Sequence, residues 1–150
     1  MTEVLFYHLQ DRPLDGVLPQ LLEKTLERGW CAAVQSPSEE RIDALDALLW
    51  TYRSESFLPH ATWRDTNAPG QPVLLSMDAE NVNGAQVRFL LDLAPLPPDM
   101  ETYARIVLIF DGEDDAALAF ARAAWAAVKA QGLEATYWQC DEAGRWQRKA

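Results

Sequence analysis

Asp111 and Glu113 are the first residues whose types and spacing could do chemistry. They follow the apolar run Ile106-Val107-Leu108-Ile109-Phe110. An apolar strand that ends in an aspartate is how many nucleoside triphosphatases hold Mg²⁺. That chemistry also needs backbone N–H groups that can reach phosphate, normally in a glycine-rich turn after a strand. Here the first such turn is His8-Leu9-Gln10-Asp11-Arg12-Pro13, which has no glycine. The chain contains neither G-x-G-x-x-G nor G-x-x-x-x-G-K-[ST]. Glu113, Asp114 and Asp115 also suit the start of a helix, where the macrodipole favours negative charge. A nucleotide-dependent enzyme using Asp111 and Glu113 at a strand end is therefore the alternative reading.

Other catalytic sets are thin. His8 and His60 are the chain's two histidines, and no H-x-E, C-x-x-C or H-E-x-x-H spacing occurs. No dedicated metal site and no cofactor are expected. There is no G-x-S-x-G nucleophile elbow. Cys31 and Cys140 read as small packed hydrophobes, in keeping with a reduced, cytoplasmic protein.

Two other stretches suit binding rather than catalysis. The first is Leu48-Leu49-Trp50-Thr51-Tyr52-Arg53-Ser54-Glu55-Ser56-Phe57-Leu58-Pro59-His60, with Trp63 shortly after. Its aromatics either fold back onto the core or form an exposed patch of the kind that anchors protein interfaces. The second lies on the last long helix. At about 100° per residue, Ala117, Phe120, Ala121, Ala124, Ala127 and Val128 share one arc, which should face a sheet. Leu118, Arg122, Trp125 and Lys129 fall nearly opposite. A tryptophan flanked by two cations is either shielded surface or a small dock for an acidic peptide with an aromatic end.

The elements that must position these residues follow from periodicity. Val4 to Leu9, Cys31 to Gln35, Val73 to Met77, Val87 to Leu93, Ile106 to Asp111 and Leu133 to Gln139 read as strands, with Trp146 on a short edge piece. Asp11 to Gly16 reads as a turn. Leu18, Leu21, Leu22, Thr25 and Leu26 mark a helix closed by Gly29. Ser36 fits the next N-cap, with Pro37 at the first helical position and Glu39 completing a capping box. Ile42, Leu45, Leu48 and Leu49 continue that helix. Thr51 to Gly70 has no clean period, and Pro95, Pro97 and Pro98 make a loop. The last helix runs from about Asp114 to Gln131 and stops at Gly132. The order β-α-β-α-β-β-α-β, with strands apolar throughout, predicts one three-layer α/β domain over residues 1–150, with a mostly parallel sheet and helices on both faces.

Size and charge limit the function. The 150 residues are 49% hydrophobic and 24% charged, as in a folded domain. Thirteen Lys and Arg against 23 Asp and Glu give a formal net charge of -10. That balance argues against direct, sequence-blind nucleic-acid binding and against an anionic membrane surface, and it biases the protein toward cationic partners unless the few basic residues cluster locally. No run approaches the roughly 18 apolar residues of a membrane span. The N-terminus has no basic region before a long apolar one, so no secretory leader is expected.

Leu45-Asp46-Ala47-Leu48-Leu49-Trp50 followed by Ser56-Phe57-Leu58-Pro59-His60 resembles the chi subunit of bacterial DNA polymerase III. Phe6-Tyr7, Lys24 with Gly29, Pro72-Val73 and Ala121-Arg122-Ala123-Ala124-Trp125 with Gly132 fall in the family's order, so the resemblance spans almost the whole chain. It implies a Rossmann-like topology without a phosphate loop. It also implies a non-catalytic accessory subunit of the clamp loader, active in DNA replication. The implied partners are the psi subunit and the acidic, aromatic-ended C-terminal tail of single-stranded DNA-binding protein. By position, Leu49, Trp50, Phe57, Pro59 and His60 match the psi-binding block. Arg122, Trp125 and Lys129 would bind the tail. Leu118 and Ala126 stand where basic residues are common in the family, and Arg145, Arg148 and Lys149 are further cations near the C-terminus.

Overall fold

The computed structural model describes residues 2–10, 12–51 and 59–150. Its elements in chain order are β1 (Glu3–His8), α1 (Leu14–Glu27), β2 (Ala32–Gln35), α2 (Glu39–Thr51), β3 (Ala61–Thr62), β4 (Val73–Ser76), β5 (Val87–Leu90), β6 (Arg105–Phe110), α3 (Asp115–Ala130), β7 (Glu134–Cys140) and β8 (Trp146–Arg148). One eight-stranded sheet has the order β3-β4-β2-β5-β6-β1-β7-β8. All pairings are parallel except β7 with β8. The three-layer α/β expectation therefore holds. Chain order explains the layers. β1 feeds leftward to β2 through α1, whereas β6 feeds rightward to β7 through α3. Right-handed crossovers in opposite directions put their helices on opposite faces.

Two large core clusters fill the layers among the described residues, with a small third one of Ala61, Ala68 and Leu74 at the β3 edge. On one face Leu18 and Leu22 of α1 and Ile42, Leu45 and Leu49 of α2 pack on Val34, Val73, Leu75, Phe89 and Val107. On the other, Ala121, Ala124 and Val128 of α3 pack on Val4, Phe6, Ile106, Leu108 and Phe110. Alternate residues of β1 and β6 thus serve opposite faces, as period two requires.

Local chemistry moved several boundaries. α1 starts at Leu14, inside the span that reads as a turn. Pro13 takes the extended N-cap conformation, and the helix continues through Gly16 and Pro19. Burial of Val17, Leu18, Leu21 and Leu22 outweighs the proline. α2 is capped by Ser38 rather than Ser36: the Ser38 Oγ accepts the Arg41 N–H at 3.2 Å. Ser36 donates its hydroxyl to Asp92 at 2.7 Å, and its Oγ accepts the Ser38 N–H at 3.1 Å, ahead of the first helical residue. β5 ends at Leu90, not Leu93, because Asp92 and Leu93 take positive φ values of 54° and 66° and turn the chain. Arg41 clamps that turn through two bonds to the Asp92 carboxylate, at 3.0 and 3.1 Å. The stretch without a clean period contributes β3, a two-residue edge strand.

Candidate functional site

α3 and the strands beneath it form a groove of about 550 Å³. Its floor comes from Phe6 of β1, Phe110 of β6 and Tyr137 of β7. Its wall is Leu118, Ala121, Arg122 and Trp125 of α3, and Ala150 lies at one end. Asp114 caps α3, its carboxylate accepting the N–H groups of Ala116 and Ala117 at 3.0 and 3.3 Å. The helix is therefore fixed from its first turn.

Trp125 does not stand opposite the core, as helical phase alone suggests. It is half-buried and meets Phe6 edge to face, with centroids 5.2 Å apart. Leu118 is half-buried too, whereas Ala127, assigned to the sheet-facing arc, is exposed. A helix flanked by an open groove buries a stripe turned from the ideal one. Lys129 lies over the Trp125 ring, its Nζ 5.5 Å from the centroid. Arg122 is exposed on the rim. Among the described residues it makes no ion pair, so its guanidinium is available to an incoming carboxylate.

A polar cluster stiffens the floor. The Gln139 amide donates to the Tyr137 hydroxyl at 2.7 Å. That hydroxyl lies 2.6 Å from His8 Nδ1. The consistent arrangement has Tyr137 donating to Nδ1, with the ring proton on Nε2. His8 stacks on Phe110 with centroids 5.1 Å apart. Burial holds the His8 imidazole below its ordinary pKa, against the upward pull of Asp111 and Glu113. The sequence places Phe6, Phe110 and Tyr137 on strands but assigns none of them to a site. The available signal was their shared strand face.

The second aromatic stretch is built differently. Trp50, at the end of α2, is 52% exposed. His60 lies beneath it, with ring centroids 5.0 Å apart. The His60 side chain is buried, and its Nε2 donates to the Asp46 carboxylate at 2.9 Å and to the Asp46 carbonyl at 3.2 Å. Leu49 is wholly buried in the core, so it supports α2 and does not face a partner. Pro59 is exposed beside His60, and Phe57 lies outside the described residues. Trp50 and Pro59 are thus the surface, and His60 and Leu49 lie beneath it.

At the strand ends, Asp111 is exposed and its carboxylate accepts the Glu113 N–H at 3.0 Å. Glu113, Asp114 and Asp115 crowd the same turn with negative charge, which repels phosphate. Gly112 lies under His8, where an added Cβ would collide with the His8 ring at Nε2. Among the described residues no group of three or more His, Cys, Asp or Glu side chains is placed to hold a metal ion. No helix among them is long and apolar enough to cross a membrane.

The family model of the DNA polymerase III chi subunit, HolC, matches residues 1–136. The probable DNA polymerase III subunit chi of Rickettsia prowazekii (strain Madrid E) is 24% identical over 117 residues, which are 74% of this chain and 71% of that protein. The family match takes in α3 and the Trp50 block and ends before Tyr137 and β8.

Proposed function

The chain belongs to the DNA polymerase III chi subunit family, a replication accessory subunit, and from that premise we propose that it is a non-catalytic adaptor of the clamp loader. It bridges the psi subunit to the C-terminal tail of single-stranded DNA-binding protein, in the cytoplasm. The observation that carries this reading is the groove beside α3: a ring-lined trough of about 550 Å³ with Arg122 on its rim. An acidic tail with a terminal aromatic can place its ring against Trp125, which Phe6 braces from below. Its carboxylates then meet Arg122 and Lys129, and an arginine can grip a terminal carboxylate with two parallel bonds. The net charge of -10 opposes approach at long range. At 0.15 M salt the Debye length is about 8 Å, so distant acids are damped while contact pairs survive. The exposed Trp50 and Pro59, over the buried His60 ring that Asp46 holds, form the psi-facing surface.

The test is fluorescence anisotropy with a labelled acidic peptide ending in phenylalanine. Binding on the order of micromolar, about -8 kcal/mol, is expected. Arg122→Glu should remove most of it and Trp125→Ala a large part. Wild-type binding in both variants would refute the groove as the tail site. For psi, Trp50→Ala should weaken association by about 2 kcal/mol, roughly thirty-fold. Calorimetry reads that change, with circular dichroism as the control for folding.

A further inference from the structure

The other face of β1 carries a second concavity. There Tyr7 projects beyond the edge of α1 into a cleft of about 590 Å³, within the usual range for small-ligand sites. Tyr7 stacks on Trp146 of β8, with centroids 4.7 Å apart and planes 13° from parallel. Trp30, just before β2, lies near two guanidinium groups: Arg28 Cζ is 5.6 Å and Arg105 Cζ 5.4 Å from its ring centroid. Lys24 on α1 and Arg145 in the β7–β8 turn line the same cleft. Four of the chain's 13 Lys and Arg therefore converge here, although the protein's net charge is -10. The one lining carboxylate is Glu3, and Arg105 Nε holds it at 3.4 Å. Among the described residues Lys24 and Arg28 pair with no carboxylate.

The cleft is graded along the strands. Glu3 pairs with Arg105 at one end of the β1–β6 ladder, and Tyr7 is four residues further on. At about 3.3 Å per residue, the cationic and stacked aromatic ends are roughly 13 Å apart. A flat ring at one end and an anion at the other match the two ends of one ligand. From this juxtaposition we propose that the cleft binds a nucleoside phosphate, its base against the Tyr7–Trp146 pair and its phosphates against Arg28, Arg105 and Lys24. Aromatic side chains stack bases of any sequence, and clustered cations supply the phosphate affinity that the overall charge denies. The unit could arrive as a free nucleotide or within a single strand, since both offer a base beside phosphate. This site is independent of the tail groove and lies on the opposite face of the sheet. It also lies apart from Asp111 and Glu113, and no hydrolysis is assigned to it.

Titration of the full chain with deoxythymidine triphosphate, without Mg²⁺, and with a labelled single-stranded thymidine oligomer tests the proposal. Arg28→Glu and, separately, Lys24→Glu should each weaken binding about ten-fold. Both positions are exposed, so thermal melting should show an intact fold. Trp146→Ala should cost about five-fold or more, and Asp111→Asn should change nothing. Response to the oligomer alone assigns the unit to single-stranded nucleic acid, and response to the triphosphate alone assigns it to the free nucleotide. Either result supports the cleft if the charge reversals weaken it. Binding of neither probe at millimolar concentration overturns the proposal. Binding that survives both charge reversals, or that is lost in Asp111→Asn, overturns it too.

Discussion

Tyr7 and Tyr137 stand on neighbouring strands, one residue out of register, and face opposite sides of the sheet. Tyr137 joins the floor of the α3 groove, with its hydroxyl held between His8 and Gln139. Tyr7 lines the cationic cleft, stacked on Trp146, and its hydroxyl has no hydrogen-bond partner among the described residues. Burial pushes the Tyr7 phenol above its ordinary pKa, against the pull of Arg105. The groove is tied to the core through a wholly buried ring, Phe6, and a polar cluster. The cleft is an uncovered margin of the sheet. The same period-two alternation therefore makes one surface that is expensive to alter and one that tolerates change.

The largest expected effect is at Phe6. Phe6→Ala removes a ring that is 1% exposed and braces Trp125, and should cost about 3–5 kcal/mol in urea unfolding. Tyr7→Ala, on the half-buried side, should cost clearly less. Equal costs would erase the distinction between the two faces. Next comes Gly112→Ala, whose Cβ would collide with the His8 ring. A loss of about 1–3 kcal/mol is expected. In a His8→Ala background the same change should be nearly neutral, and a double-mutant cycle measures that rescue. A full penalty in both backgrounds would place the strain elsewhere.

The hydroxyls give a finer contrast. Tyr137→Phe deletes a group bonded at both ends and should cost about 1 kcal/mol. Tyr7→Phe should stay within about 0.5 kcal/mol of wild type. Denaturation midpoints that reverse this order would contradict the assignment. The smallest effect is pH-dependent. The folded His8 pKa is lowered, so the unfolded chain takes up a proton first as pH falls. Stability from this group is present above the unfolded value of about 6.5 and declines as pH drops through it towards the lowered folded pKa. His8→Asn should flatten that part of the stability profile, and an unchanged slope would remove His8 as its source.

Much of the scaffold was readable because its signals are local. The apolar runs at Ile106 to Asp111 and Val73 to Met77 became β6 and β4, each ending one residue earlier, and Asp114 and Gly132 bracket α3 as cap and stop chemistry require. What failed depended on distant partners. Ser36 looked like the cap of α2, but with its hydroxyl tied to Asp92, 56 residues away, its Oγ accepts the Ser38 N–H ahead of the helix, and Ser38 caps the helix itself. Leu49 sits in the block that the sequence resemblance assigns to a partner surface, yet its side chain is consumed by the core while Trp50 beside it is exposed. A sequence block has no inside and outside until the helix is docked.

By itself the sequence determined the α/β class, the phase of α3 to within part of a turn, the lack of a glycine-rich phosphate turn, and the motifs that mark the chi family. These rest on neighbours within a few residues, where backbone sterics, capping and hydrophobic period act directly. Only the tertiary structure decided that Trp125 leans on Phe6, that Tyr137 closes the groove floor, and that Lys24, Arg28, Arg105 and Arg145 share one cleft. Those groupings depend on β1 pairing with both β6 and β7, contacts that span most of the chain. Period two fixes which residues of a strand share a face. Register and crossover handedness fix which strands share it with them, and both are settled when the sheet assembles.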